Sequence, residues 1–326
     1  MKAVQCVEWG MPDRLVVSEL ELPAPKAGEV RVRVESAGVN FPDALIVQKK
    51  YQVQPPLPFI PGTEVAGTVD ALGEGVSHLK QGDRVAAFVG LGGFAQFVCA
   101  PVAAIAPLPP GIRSDVAAAF TLTYATSHHA LFDRGQLKQG ETLAVLGAGG
   151  GVGLAAVELG KIAGARVIAV ASSKEKLDAA KERGADVAIN YSTGDLREAL
   201  KAATNSQGVD VVYDPVGGRH TEAALRSLAW RGRLLVVGFA DGQIPQIPAN
   251  LLLIKGAAAI GVFWGDFARR EPKSNLAMLK ELYTWLAEGR LKPLVSRVYA
   301  LGDAPSALDA LLARRAVGKL VIDPWA

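Results

Sequence analysis

The sequence predicts an α/β protein in which a doubly wound parallel sheet is joined to a β-rich, barrel-like domain. Three observations carry that expectation. From Thr142 onward short apolar runs alternate with helical stretches, as strands buried on both faces do. The first of these runs turns through Gly147-Ala148-Gly149-Gly150-Gly151-Val152-Gly153 into a helix. Residues 1–120 have another texture, with short alternating strands punctuated by Gly, Pro and Asp.

In chain order, Val30, Val32 and Val34 alternate with Arg31, Arg33 and Glu35, which predicts a half-buried strand. Apolar runs at 64–72, 83–89 and 94–100 predict three more, and together they suggest a small irregular barrel. Residues 114–132 read as one alanine-rich helix with Ser114 as its N-cap. Six strands follow, near 142–146, 166–171, 187–190, 209–214, 233–238 and 257–263, with helices between the first five. Six strands fit two mononucleotide-binding halves. The tail predicts a helix at 273–288, a strand at 297–300, a helix at 304–314 and a strand at 319–322, and is expected to rejoin the first domain. The expected domains are therefore 1–121 with 268–326, and 122–267.

Composition narrows the function classes. Half of the 326 residues are hydrophobic, 21% are charged and the net charge is +3, ordinary values for a globular chain. Basic and acidic residues are interspersed, so neither nucleic acid nor a membrane is expected as a partner. Only Cys6 and Cys99 occur, with no C-x-x-C, which predicts a reduced, cytoplasmic setting. No apolar run precedes the first acid, so no signal peptide is expected.

The glycine turn admits two readings, a plain tight turn or a seat for a dinucleotide pyrophosphate. Strict G-x-G-x-x-G spacing is not met, because Ala148 takes the first glycine place in the best register. The flanking strand, and a helix expected to open at Leu154, favour the pyrophosphate. Glycines admit close approach, and a helix N-terminus offers free N–H groups. An acid that would hold a ribose 2′-hydroxyl is expected about 20 residues on. The second strand instead ends Val170-Ala171-Ser172-Ser173-Lys174-Glu175-Lys176. Ala171 stands where that acid is expected, and the two hydroxyls and two lysines after it favour a 2′-phosphate, hence NADP(H) over NAD(H). Ser172 with Glu175 also reads as an ordinary capping box.

Several segments then recur together: the glycine turn, Ile189-Asn190-Tyr191, Tyr213-Asp214-Pro215-Val216-Gly217-Gly218, Val236-Val237-Gly238-Phe239-Ala240, Ala37-Gly38-Val39-Asn40-Phe41-Pro42-Asp43 and 56–67. Taken in chain order, over nearly the whole chain, they resemble the zinc-free quinone oxidoreductases of the medium-chain dehydrogenase/reductase superfamily. The resemblance implies a GroES-like catalytic barrel, a Rossmann domain, NADPH as cofactor and a homodimer. It implies Lys176 and Tyr191 at the 2′-phosphate with Ser172 beside them, and Gly150, Gly151 and Val152 at the pyrophosphate. It implies Thr126, Phe239 and Phe263 along the nicotinamide half, with Asn40 near the nicotinamide and its ribose. Two places depart from the family: Lys49 stands where Gly is usual two residues before Tyr51, and Ser127-His128-His129 replaces a small-aromatic-His run.

No metal is expected. Zinc relatives carry a Cys and a His where Asn40 and Thr63 stand, and zinc needs clustered thiolate or imidazole ligands. Quinones and conjugated carbonyls accept hydride without a strong Lewis acid, so positioning can suffice. Asn40 and Tyr51 are the candidate catalytic residues, Asn40 as a hydrogen-bond donor and Tyr51 as a pocket wall or proton donor. Each also reads plainly, as a turn residue and a loop aromatic. The expected activity is NADPH-dependent quinone reduction by hydride transfer. Reduction of the double bond of enones, enals or acyl-CoA thioesters is the alternative, and a structural or RNA-binding relative is the non-enzymatic one. The apolar run 251–254, with the strand at 257–263, is the expected edge-to-edge dimer contact, and burial under a helix is its plain reading.

Overall fold

The computed structural model describes all residues, 1–326. It divides into two compact units, residues 1–122 with 293–326, and residues 123–292.

The first unit is built on β1 (Lys2–Gln5), β2 (Val16–Glu19), β3 (Glu29–Val39), α1 (Phe41–Val47), β4 (Glu64–Leu72), β5 (Arg84–Phe88), β6 (Phe97–Pro101), β7 (Ile105–Pro107) and α2 (Ser114–Ala118). Residues from the tail complete it: β14 (Val295–Ala300), α11 (Ala304–Leu312) and β15 (Lys319–Asp323). Its main sheet runs β14-β15-β3-β4-β5-β7, with β6 also paired to β3. β3 is the hub because its inward residues, Val30, Val32, Val34 and Ala37, are all fully buried. Period-2 alternation over a long strand puts one side into the core and leaves the other for neighbours.

The second unit follows α3 (Thr121–His128), which begins at the boundary. It holds β8 (Thr142–Leu146), α4 (Gly151–Ile162), β9 (Arg166–Ala171), α5 (Lys174–Glu182), β10 (Val187–Asn190), α6 (Leu196–Ala203), β11 (Val209–Asp214), α7 (Arg219–Arg226), β12 (Leu228–Val236), α8 (Ala249–Lys255), β13 (Ala258–Gly261), α9 (Trp264–Arg270) and α10 (Pro272–Ala287). The sheet order is β10-β9-β8-β11-β12-β13, and every pair in it is parallel. The order therefore reverses beside β8, and a ligand in such a sheet sits at the carboxyl ends of the strands there.

Four expectations change. Residues 268–292 were expected with the barrel, but they lie in the second unit. There α10 buries Met278, Leu282, Tyr283 and Leu286, and Glu281 of its exposed side reaches His128 at 3.2 Å. The helix expected over 114–132 is broken. α2 ends at Ala118, α3 starts at Thr121, and a π-helical turn closes the stretch at His129–Arg134. Ser114 is not the N-cap: its hydroxyl donates to Glu35 at 2.5 Å, and Arg113 holds the cap position. The run 251–254 lies in a helix, not a strand edge, because Pro248 opens α8 and Gly256, at φ 56°, closes it.

Candidate functional site

The glycine turn forms a cradle with little room for side chains. α4 begins at Gly151, one turn earlier than expected, since Leu154 N–H already bonds Gly150 O at 2.8 Å. The reason is packing. A Cβ on Gly153 would lie 2.2 Å from Gly147 O, so only glycine lets the first helical turn sit on the strand end. Gly150 is the N-cap and no side chain caps the helix. The N–H groups of Gly151, Val152 and Gly153 therefore open a twelve-residue helix with no intrahelical partner. A Cβ on Gly150 would touch only Gly147 O, at 3.5 Å, so the space above the turn is open.

This turn is clamped from behind. Ser127 Oγ donates to Val152 O at 2.9 Å and lies 2.9 Å from the Tyr213 hydroxyl. Both side chains are fully buried, and burial pushes the Tyr213 phenol up. Thr126, half-buried on α3, is the neighbour of this clamp. His128 and His129 turn elsewhere: His128 faces Glu281, and His129 stacks on Phe267 with ring centroids 4.2 Å apart.

At the end of β9, Ala171 is buried and carries no acid. The first turn of α5 is capped by Ser173, whose hydroxyl accepts Lys176 N–H at 3.4 Å. The expected Ser172 capping box is therefore off by one residue, and Ser172 is left half-buried in the loop, its carbonyl taking the Ser192 hydroxyl at 3.1 Å. The Lys176 stem lies across the glycine turn, since a Cβ on Gly149 would come within 2.4 Å of Lys176 Cβ. Tyr191 follows β10, tied to Ala171 O by its N–H at 3.2 Å, and its ring meets His220 at 4.3 Å between centroids. His220 carries no local sequence signal for this place, because 29 residues separate it from Tyr191. Two further site candidates stand at the carboxyl ends of β12 and β13. Phe239 is 38% exposed and lies against Gly217, and Phe263 is 53% exposed at the start of α9.

Asp214 shapes the turn between these points. Its carboxylate takes the N–H groups of Val216 and Gly217 at 2.8 and 2.9 Å and the Thr221 hydroxyl at 2.5 Å.

In the first unit, Asn40 sits at the N-terminus of α1 and is buried. Its Nδ2 donates to Thr63 Oγ1 at 3.1 Å and to Glu64 Oε1 at 2.9 Å, and its Oδ1 accepts from Lys319 Nζ at 2.5 Å. Both amide hydrogens are thus spent within the unit, which conflicts with Asn40 as a donor to substrate. Sequence reading gave no warning of this, because Lys319 lies 279 residues away. Glu64 is engaged on both oxygens: its Oε2 takes the Leu122 N–H at 2.9 Å, which starts α3 and accounts for the break after α2. Asp43, wholly buried in α1, accepts Asn40 N–H on Oδ2 at 2.8 Å, while Oδ1 has no partner. Burial lifts its carboxyl to about 7, against the pull of the Asn40 N–H and Lys319.

Tyr51 is half-buried at the rim of this unit's core. Burial, then the Asp43 carboxyl, raises its phenol above the ordinary range. Lys49 has φ 59°, the left-handed conformation that glycine adopts freely, which explains why glycine is usual there.

The donor set does not fit zinc. Asn40 and Thr63, at the ligand places of zinc relatives, bond to each other, and no three His, Cys, Asp or Glu side chains converge elsewhere. A dinucleotide does fit the second unit, on the evidence of the open cradle and the unpartnered helix start.

Comparison with known proteins agrees with this architecture. Residues 26–110 match the alcohol dehydrogenase GroES-like domain, and residues 151–281 match the zinc-binding dehydrogenase family. The chain is 37% identical to a quinone oxidoreductase-like protein 2 homolog of Nematostella vectensis, over 99% of this chain and 88% of that one. It is 33% identical to a quinone oxidoreductase of Pseudomonas aeruginosa, over 99% of both. The structure of Escherichia coli quinone oxidoreductase complexed with NADPH superimposes with a TM-score of 0.94 at 30% identity, covering 99% of this chain and 100% of that one. With the 3-2-1-4-5-6 parallel sheet and the GroES-like barrel both in place, the chain belongs to the quinone oxidoreductase family of the medium-chain dehydrogenase/reductase superfamily.

Proposed function

We propose that this protein is an NADPH-dependent oxidoreductase that reduces quinones without a metal. The observation that carries the reading is the end of β9, where Ala171 replaces the ribose-binding acid and Lys176 is laid across the glycine turn. A carboxylate there would repel a 2′-phosphate, whereas an ammonium beside a hydroxyl attracts it. The NADPH-bound Escherichia coli relative supports the same cofactor.

Bound NADPH supplies a hydride. The chain's own residues do the rest. The N–H groups of Gly151 and Val152 receive the pyrophosphate, with Gly150 leaving it room. Lys176, Tyr191 and Ser172 take the 2′-phosphate, and Thr126, Phe239 and Phe263 line the nicotinamide half. Tyr51, with its proton held firmly by a raised phenol pKa, donates a hydrogen bond to the acceptor carbonyl and stabilises the oxyanion that develops there. Asn40 supports that role from behind, as the polar centre of the α1 turn. Because quinones accept hydride readily, orientation and one donor suffice without a Lewis acid.

The test has two arms. Steady-state oxidation of NADPH is measured with a naphthoquinone, an enone and an unsaturated acyl thioester, and the quinone is expected to give the highest kcat/KM. Preference for the enone or thioester redirects the reading to double-bond reduction. Lys176→Glu is expected to weaken NADPH about 10–100-fold, the scale of a lost charge-assisted hydrogen bond, with little change for NADH. Equal loss of both cofactors rejects the 2′-phosphate assignment. We further propose a homodimer, supported by the uncovered edge of β13.

A further inference from the structure

The buried polar centre of the first unit is organised by one cation. Lys319, at the start of β15, is 6% exposed at its side chain and its partner Glu64 is 1% exposed. Nζ donates to Val39 O at 3.0 Å, Asn40 Oδ1 at 2.5 Å and Glu64 Oε1 at 2.9 Å. An ammonium has three hydrogens, so all of them are used. These three acceptors lie at the end of β3, the N-terminus of α1 and the start of β4.

A carboxamide can occupy its site in two flips. Here the ammonium admits only one, because Nδ2 turned toward Lys319 would set donor against donor. The same flip aims Nδ2 at Thr63 and Glu64. The Asn40 backbone N–H separately holds Asp43, and the turn after α1 is tied back by Lys50 N–H to Leu45 O and Lys49 N–H to Ile46 O, both at 2.9 Å. Tyr51 is the next residue. A buried ion pair is weak evidence of stability, since apolar groups of like volume often serve as well. What this one supplies that they could not is orientation.

We propose that Lys319 is a positioning residue: it sets the Asn40 carboxamide and, through the α1 turn, the place of Tyr51. The proposal rests on the quinone reductase reading for its kinetic consequence, but its structural consequence can be read without turnover.

The experiment compares wild type, Lys319→Met, the double variant Lys319→Met with Glu64→Gln, and Lys319→Arg. Three properties are followed: urea midpoint, hydrogen exchange of the Asn40 side-chain amide in ¹⁵N-labelled protein, and steady-state kinetics with NADPH and a naphthoquinone. In wild type the Asn40 amide is expected to exchange about 100-fold more slowly than that of exposed Asn205. Lys319→Met alone leaves Glu64 unpaired and is expected to lower the midpoint. The double variant removes both charges and is expected to regain the midpoint. Its amide exchange is expected to stay about tenfold faster than wild type and its kcat about tenfold lower, with the KM for NADPH changed less than about twofold.

A purely structural ion pair predicts the opposite. Recovery of either wild-type amide protection or wild-type kcat in the double variant overturns the proposal. Should the double variant not fold, Lys319→Arg decides. It keeps the charge but replaces a three-donor point with a planar fork, so kcat is expected to fall about tenfold. Wild-type kcat in that variant also overturns the proposal. If wild type itself turns over no quinone with NADPH, the functional reading fails, and amide exchange alone still decides whether Lys319 sets Asn40.

Discussion

Asp43 has no exposed atom and one carboxyl oxygen without a partner, so the cost of keeping it ionised depends on pH. The groups that face it are Asn40 N–H, Lys319, Glu64 and Thr63, and its charge reaches Tyr51. Lys319 relieves it only by charge and not by a hydrogen bond, because all three ammonium hydrogens point at Val39, Asn40 and Glu64. Its pKa is about 7 in the fold against 3.8 for an ordinary aspartate. The folded state therefore holds a proton that the unfolded chain has already released between these values. Stability from this group is fully present below pH 4 and is lost as pH rises through 7. Asp43→Asn keeps the shape of the neutral acid. Relative to wild type it is expected to gain stability across that window, by roughly 4 kcal/mol at pH 8 if the whole shift is expressed. Urea unfolding of both proteins from pH 4.5 to 8 checks this, and a pH-independent difference would exclude Asp43 as the titrating group.

At the scale of elements, the strand–glycine–helix unit separates two demands that a run of glycines conflates. Gly153 is required by the fold, because its Cβ would meet the carbonyl of Gly147, which is backbone and cannot move aside. Gly150 has space for a Cβ and ordinary extended dihedrals, φ −86° and ψ 172°. Gly153→Ala is thus expected to destabilise by about 1–3 kcal/mol, the scale of overpacking, and to lose NADPH affinity as well. Gly150→Ala is expected to leave the urea midpoint unchanged while weakening NADPH, since its methyl enters the space above the turn. Fluorescence titration with NADPH beside urea unfolding distinguishes them, and equal stability loss in both variants would contradict the division. The same contrast marks what could be read from sequence. Buried parallel strands announce themselves by continuous apolar runs, so β8, β9, β10 and β11 fall on the expected residues, as does the antiparallel β4. Helix ends do not, because they depend on distant partners. Leu122 N–H finds Glu64, and the break after α2 follows from a carboxylate 58 residues upstream. The phosphate-side candidates lie in short local patterns, where a sequence can propose them. The centre around Asn40 was not, since its organising cation arrives from the last strand of the chain.

At the scale of the whole molecule, the parallel sheet ends on β13, which pairs only with β12. Ala258, Ala259 and Gly261 of this strand are exposed, and none of its four residues carries a charge. An uncharged, uncovered edge is a template for a further strand, and natural monomers blunt such edges with lysine, proline or a covering segment. Nearby in the chain, Leu253 and Ile254 on α8 are 80% and 65% exposed, and Trp230 on β12 packs against Gly256 while remaining 71% exposed. Two copies related by a twofold axis would pair β13 with β13 antiparallel and continue the sheet across both chains. The apolar side chains of α8 and Trp230 would then add to the buried area that a stable interface needs, about 800 Å² on each partner. Wild type is expected to sediment as a dimer at micromolar concentration. Ala259→Lys places an ammonium on the edge without touching the core, and is expected to shift the protein to monomer with its NADPH affinity retained. A wild-type monomer under these conditions, or a dimer that survives Ala259→Lys and Leu253→Glu together, would remove β13 as the contact between copies.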